Sequence, residues 1–312
     1  MAGRCRMTAL AKALSGYLRV QRALGFKQKQ AGEMLPAFVR YLEDRGLTHV
    51  TTTAALAWAA LPRDRDPRWW SKRLSVVRGF AKYLHLLDPC SEVPSTEHFV
   101  ARYKRRRPYV YEAADITALL AATSTLKAPL RIATYKTLLG LLAVTGMRVS
   151  EAIALDDADF DRRRAVLMIR ETKFDKSREV PLHPSAGRAL VDYRRLRDRL
   201  VPRQRTSSLF VSTAGTRLFY QNVHETFLRL VYAAGLGGRR PRPTIHDLRH
   251  TFAIRTVLDW HRAQVDVEAR LPLLSTYLGH IGPESTYWYL TAVPELLEAA
   301  TARLERFSKV TL

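Results

Sequence analysis

The chain has 312 residues, enough for one large domain or two ordinary ones, and its 47% hydrophobic content supports a sizeable core. Its longest apolar stretch, "LLGLLAV" at 138–144, falls far short of the roughly 20 residues a membrane span needs, and its two cysteines, Cys5 and Cys90, lack the paired spacing of a disulfide framework or a zinc site. A net charge of +22, from 51 basic against 29 acidic residues, implies a polyanionic partner, nucleic acid before anionic membrane, for a protein expected in a reducing, cytosolic compartment.

The amino-terminal "MAGRCRMTALAKALSGYL" sets basic residues before an apolar run, but Lys12 interrupts it, so the segment reads as the start of a helix and not as a secretory signal. Apolar residues recur at helical spacing in "LAKALSGYLRVQRALGF" and "AGEMLPAFVRYLEDRG", with Gly25 and Gly46 placed as C-terminal caps. The threonines at 51–53 can cap "AALAWAAL", and "DPRWWSKRLSVVRGFAKYLHLL" opens with a proline suited to a first helical turn. These four segments predict a helical module. The stretch "DPCSEVPSTEHFVARYKRRR" has linker composition, which sets domains at 1–104 and 105–312.

Helical patterns resume at "DITALLAAT" and "PLRIATYKTLLGLLAV", the latter ending at the pair Thr145–Gly146, and a short helix "RVSEAIAL" follows. The β-prone runs "AVLMIRE" and "REVPLHP", joined by the polar "TKFDKS", predict an antiparallel hairpin. Helices are expected from Pro184 to the end, apart from a short strand at "SSLFVS". The predicted fold class is therefore mainly α with a small antiparallel β-hairpin, an α+β chain. Basic residues cluster at "RYKRRR" (102–107), "RRR" (162–164), "RRLRDRLVPRQR" (194–205) and "RRPR" (239–242). Each alone reads as a solvated face, but together they favour phosphate contacts, with Arg105, Arg106, Arg107, Arg239, Arg240, Arg242 and Lys176 as candidate DNA-binding residues.

Four motifs stand out: "TGMRVSEA" (145–152), "ETKFDKSREVPL" (171–182), "HDLRHTFA" (246–253) and "LGH" (278–280), followed by Tyr289. Their order and spacing resemble the tyrosine recombinase family, the phage-integrase and Xer-type enzymes. The resemblance covers the whole second domain, and the helical module looks like that family's core-binding, SAM-like domain.

The chemistry of the residues can be read separately. Breaking a DNA phosphodiester without hydrolysis needs a nucleophile, cationic clamps on the phosphate and an acid for the leaving oxygen. Arg148 and Arg249 lie on separate helices and can reach two oxygens of one phosphate, a task that suits a planar, permanently charged guanidinium. Arg148 also follows a glycine turn at a helix N-terminus, which favours an anion. Glu151, three positions on, shares its helix face and can orient it. His246 and His250, at i and i+4, lack the glutamate of a zinc helix and a third ligand nearby, so no metal is expected.

The resemblance implies the remaining roles. Lys173, in the hairpin loop, would protonate the departing 5′-oxygen, with Lys176 as a neighbour that counting back from "VPL" disfavours for that role. His246 and Arg249 correspond to the family's HxxR pair, and His280 to its second histidine. Two tyrosines compete as nucleophile. On one helix, residues 287 and 289 differ by about 200°, so they cannot both face a phosphate. The family places its nucleophile nine residues after the histidine and three after a threonine, relations that Tyr289 satisfies from His280 and Thr286; Tyr287 is then expected to pack against Trp288 or a neighbouring helix.

Arg249 and His280 stand 31 residues apart, more than compact family members suggest, so "DWHRAQVDVEARLP" (259–272) is expected to be inserted material. After the nucleophile, "PELLEAATARLERF" carries a stripe of Leu296, Leu297, Ala300 and Leu304, a helix that in the family docks on a neighbouring subunit. The resemblance implies a site-specific recombinase forming a 3′-phosphotyrosine on double-stranded DNA. It would act as a homotetramer across paired sites, with or without partner recombinases, and with no metal or nucleotide cofactor. Integration, excision or transposition of a mobile element is the expected outcome. The alternatives are a type IB topoisomerase-like relaxing enzyme and a non-catalytic DNA-binding homologue.

Overall fold

The computed structural model describes residues 8–26, 28–61, 63–99, 106–170, 177–280 and 286–287. The chain divides into two compact units, Met1–Arg105 and Arg106–Leu312. Described residues of the first form four helices: α1 (Ala9–Ala23), α2 (Lys29–Glu43), α3 (Thr52–Ala59) and α4 (Pro67–Leu87). Three start where the sequence offers a capping oxygen. Thr8, Thr51 and Asp66 accept from the backbone N–H groups of Ala11, Ala54 and Arg68, satisfying donors that a helix start leaves open. The core gathers Leu35, Phe38, Leu42, Leu74, Val77 and Phe80, with the Phe38 and Trp58 rings 5.1 Å apart. At the α1–α4 contact, the Tyr83 hydroxyl covers the bare Cα of Gly16 and the Tyr17 hydroxyl that of Gly79, so each helix lends the other a glycine.

The second unit is built around α6 (Pro129–Thr145), preceded by α5 (Ala113–Ala121). Leu138, Leu139, Leu141 and Leu142 are all buried, which explains the short apolar run as the centre of a globular core. Each such leucine contributes roughly 2 kcal/mol on burial. Among the described residues no helix is long and apolar enough to cross a membrane. Helix α6 stops at Gly146, whose φ of +60° is left-handed, and α7 (Val149–Ala154) starts directly after Arg148.

The predicted hairpin is present as β2 (Val166–Ile169) and β3 (Arg178–Pro181), and a two-residue strand, β1 (Phe160–Asp161), adds a third strand in the antiparallel order β1-β2-β3. Phe160, Leu167 and Val180 stand in register across the three strands and are all buried. One face of the sheet therefore lies on the core. Arg178 pairs with Ile169 and is two residues before Val180, so strand alternation places this arginine on the core face too.

Helices α8 (Pro184–Leu200), α9 (Tyr220–Ala233), α10 (Asp247–Arg262) and α11 (Val267–Leu278) complete the described elements. One expectation needs correction here. The "SSLFVS" segment forms isolated bridges, Asp156 with Ser208 and Val211 with Arg217, instead of a strand. Residues 259–272, the expected inserted material, comprise the last turn of α10, a short connection and the first half of α11. Ile254 and Val257 on one helix pack with Val267, Leu271 and Leu274 on the other, so these residues bring the end of α11 back to the start of α10. The expected helix over "PELLEAATARLERF" lies outside the described residues.

Candidate active site

The site is assembled at the C-terminal end of α11. A helix leaves its last carbonyls without intrahelical partners, and the chain settles them in two ways. Gly279, at φ +67°, turns the backbone so that its own N–H bonds Thr276 O and the His280 N–H bonds Ser275 O, the paired bonds of a Schellman cap. The next three carbonyls each accept from a different arginine. Arg178 Nε donates to Tyr277 O at 2.8 Å, Arg249 Nη2 to Leu278 O at 2.6 Å, and Arg148 Nη2 to Gly279 O at 2.8 Å. Cations at a helix C-terminus are also where the helix dipole favours them.

The arginines come from three elements. Arg148 is the N-cap residue of α7, Arg178 opens β3 and Arg249 lies in the first turn of α10. Arg249 is only 2% exposed and its Nη1 reaches back to Gly146 O at 2.9 Å, so the α6 terminus, α10 and α11 meet on one guanidinium. A side chain at Gly146 would collide with Phe252, whose Cδ1 lies 2.5 Å from an added Cβ. The "TG" pair is thus required for both a turn and a close approach.

Glu151 links two of the arginines. Its Oε1 accepts from Arg148 Nη1 at 2.7 Å, and its Oε2 from the Arg148 backbone N–H at 2.9 Å and from Arg178 Nη2 at 2.8 Å. Burial alone would raise this carboxyl, but the bonds and charges of Arg178 and Arg148 outweigh it and hold its pKa below the usual carboxylate range. The ion pair expected between Arg148 and Glu151 is therefore part of a triad, and Arg178 is the member the sequence reading missed. The signal was available: in "SREVPL" the predicted strand puts Arg178 on the same face as the apolar Val180.

His246 and His280 sit within the field of these cations. Desolvation first, then the charges of Arg249 and Arg148, bring His246 down to about 4, although the residue as a whole is exposed and only its ring is shielded by the surrounding side chains. The same causes, joined by His246 and Arg178, bring His280 to about 4. Both imidazoles are neutral at physiological pH. His280 Nδ1 lies 2.7 Å from the hydroxyl of Thr286, a buried residue. His250 meets the His246 ring edge-on at 4.6 Å, in keeping with a supporting place beside it.

The structure brings Arg148, Glu151, His246, Arg249 and His280 together. Lys173, Lys176, Tyr289 and Arg105 lie outside the described residues. Tyr287 is 47% exposed, and Trp288, its expected packing partner, lies outside the described residues. Arg106, Arg107, Arg239, Arg240 and Arg242 are all exposed, and Arg106 donates to the Arg242 carbonyl, tying two of the basic runs together. In the run at 194–205, Arg195, Arg199, Arg203 and Arg205 are exposed, but two members depart from expectation: Arg197 is buried, bonded to Asp157, Asp198 and Leu209 O, and Arg194 also pairs with Asp157. Those two arginines hold α8 to its own domain. Arg164, in the run at 162–164, pairs with Glu179.

Two guanidinium groups and two imidazoles thus stand on a shared scaffold at the end of α11. The chain belongs to the phage integrase family, whose model matches residues 110–295. It is 42% identical over 308 residues, covering 96% of this chain and 98% of the other, to y4rB of Sinorhizobium fredii, a protein assigned by name to the integrases and recombinases. It is 27% identical to the tyrosine recombinase XerD of Lacticaseibacillus casei, over 88% of this chain and 90% of that one. Among solved structures, the Tn1549 transposon integrase in complex with transposon right end DNA superposes with a TM-score of 0.63 at 17% identity, covering 97% of this chain and all of that one. The lambda integrase tetramer bound to a Holliday junction gives 0.60 at 18% identity, covering 91% and 78%. At these identities the two structures share the fold.

Proposed function

We propose that this tyrosine recombinase cleaves and rejoins duplex DNA at specific paired sites through a 3′-phosphotyrosyl intermediate on Tyr289. The reading rests above all on Arg148 and Arg249 being fastened to successive carbonyls of α11 beside the neutral His246 and His280. A guanidinium carries five donors, so Arg148, one third exposed and bonded through single N–H groups to Glu151 and Gly279 O, keeps capacity for a phosphate. Arg148 and Arg249 take the non-bridging oxygens. The Tyr289 oxygen attacks phosphorus while its proton passes to His246, and the bond from phosphorus to the 5′-oxygen breaks. Lys173 supplies the proton that leaves with that oxygen as a hydroxyl, and His280 donates to the phosphate. Attack by a second 5′-hydroxyl reverses the sequence and joins a new pair of ends. Bond energy is kept in the phosphotyrosine.

In this reading residues 1–104 form the core-binding domain and 105–312 the catalytic domain, with Arg105, Arg106, Arg107, Lys176, Arg239, Arg240 and Arg242 on the DNA backbone. Four copies act on two sites in the cytosol, and the natural outcome is integration, excision or transposition of a mobile element. The transposon and phage integrases of similar fold support that assignment. Covalent capture tests it: SDS-resistant complexes are selected from a pool of nicked duplexes, and recombination between two copies of the recovered site is then measured on one plasmid. The proposal expects adducts on a defined site and recombination that needs both copies. Relaxation of plasmids lacking the site would point to a topoisomerase, and absence of any adduct would refute the enzymatic role.

A further inference from the structure

Arg178 is the least expected residue of the site. It projects from the core face of β3, its side chain is 12% exposed, and its partner Glu151 is 8% exposed. A cation in that position has to be neutralised and fully bonded to be tolerated. It is: the guanidinium spans both oxygens of Glu151, at 2.8 and 3.3 Å, while its Nε holds Tyr277 O at 2.8 Å. One rigid fork therefore touches the carboxylate that aims Arg148 and the helix end that carries His280. Gly279 makes the approach possible, because a Cβ there would lie 2.6 Å from Arg178 Nη1.

We propose that Arg178 is a positioning residue for strand cleavage, which through Glu151 and the α11 terminus fixes Arg148 and His280 relative to each other so that they meet one phosphate together. The inference rests on the recombinase reading above. It does not place Arg178 on the DNA. A lysine in its place would keep the charge opposite Glu151 but lose the planar fork that spans two oxygens and a carbonyl. Cleavage should be sensitive to the difference, since small misplacements of a phosphate clamp are expensive in rate.

The test compares wild type with Arg178→Lys in single-turnover formation of the covalent adduct at saturating protein. One nicked site carries the natural scissile phosphate and another a methylphosphonate, a neutral linkage that does not need two aligned cations. On the phosphate, Arg178→Lys should slow adduct formation roughly ten- to a hundredfold with DNA affinity unchanged. On the methylphosphonate the same variant should lie within about threefold of wild type, which a general loss of structure could not produce. The double variant Glu151→Gln/Arg178→Met, which leaves no unpaired buried charge, should show the same selective defect. Equal slowing on both linkages, or wild-type rates on both, would overturn the positioning role. Tyr289→Phe is run alongside: if wild type itself forms no adduct, the recombinase reading fails, whereas an active wild type with an indifferent Arg178→Lys sinks this inference alone.

Discussion

Replacing Glu151 by glutamine keeps the shape of the side chain but removes the charge that two arginines share. In the folded protein the Arg178 side chain, 12% exposed, would then be a buried cation facing a neutral amide. Removing one partner of such a pair costs about 3 kcal/mol or more, because the other charge stays buried without compensation. The Arg148 contact adds less, since that guanidinium is 34% exposed and water already screens it. For a unit of this size the loss corresponds to a fall in Tm of roughly 6–12 °C. The pH dependence follows from the depressed Glu151 pKa. A carboxyl with a lowered folded pKa contributes stability that is fully present above its unfolded value of about 4.3 and is lost as pH falls through the folded value. The difference between wild type and Glu151→Gln should therefore stay constant from about pH 8 to pH 5 and close only below about 4. Thermal or urea unfolding across that range measures it directly. A difference that is small at pH 7, or that does not narrow in acid, would refute the picture of a buried charge triad.

Gly146→Ala should destabilise by about 1–3 kcal/mol, since it combines left-handed backbone with a Cβ placed 2.5 Å from the Phe252 ring; an unchanged denaturation midpoint would show that Phe252 moves aside freely. Because His246 and His280 are held at about 4, neither changes charge in the free protein between about pH 8 and pH 5. Adduct formation at limiting DNA, which reports on the free protein, should have no histidine inflection near 6.5 and fall only toward pH 4; an acid limb centred near 6.5 would contradict the neutral-imidazole site.

Much of this arrangement was legible because it is written in local chemistry. The threonines at 51–53 announce a helix start, Pro67 a first turn, and Gly25, Gly46 and Gly146 the stops, while the β-prone runs "AVLMIRE" and "REVPLHP" announce a hairpin whose register puts Leu167 opposite Val180. Motif spacing likewise reached Arg148, His246, Arg249 and His280. What escaped depends on partners distant in sequence. Arg178 became meaningful only with Glu151, 27 positions earlier, and Tyr277, 99 positions later, both within bonding distance. The helical course of 259–272 was likewise not legible from counting between motifs; apolar contacts between α10 and α11 decide it. Arg197 was misread for a related reason. A basic run looks solvated in sequence, yet Asp157 from the turn before β1 neutralises it inside the domain.

If Tyr289 takes the phosphate, the chemical identity of the covalent adduct reveals it. Wild-type protein trapped on a nicked duplex is digested with nuclease and protease, and the nucleotidyl peptide is sequenced by tandem mass spectrometry. The expected product is a 3′-linked nucleotide on Tyr289, retained in Tyr287→Phe and lost in Tyr289→Phe. A nucleotide on Tyr287, a 5′ linkage, or an adduct that survives Tyr289→Phe would contradict it.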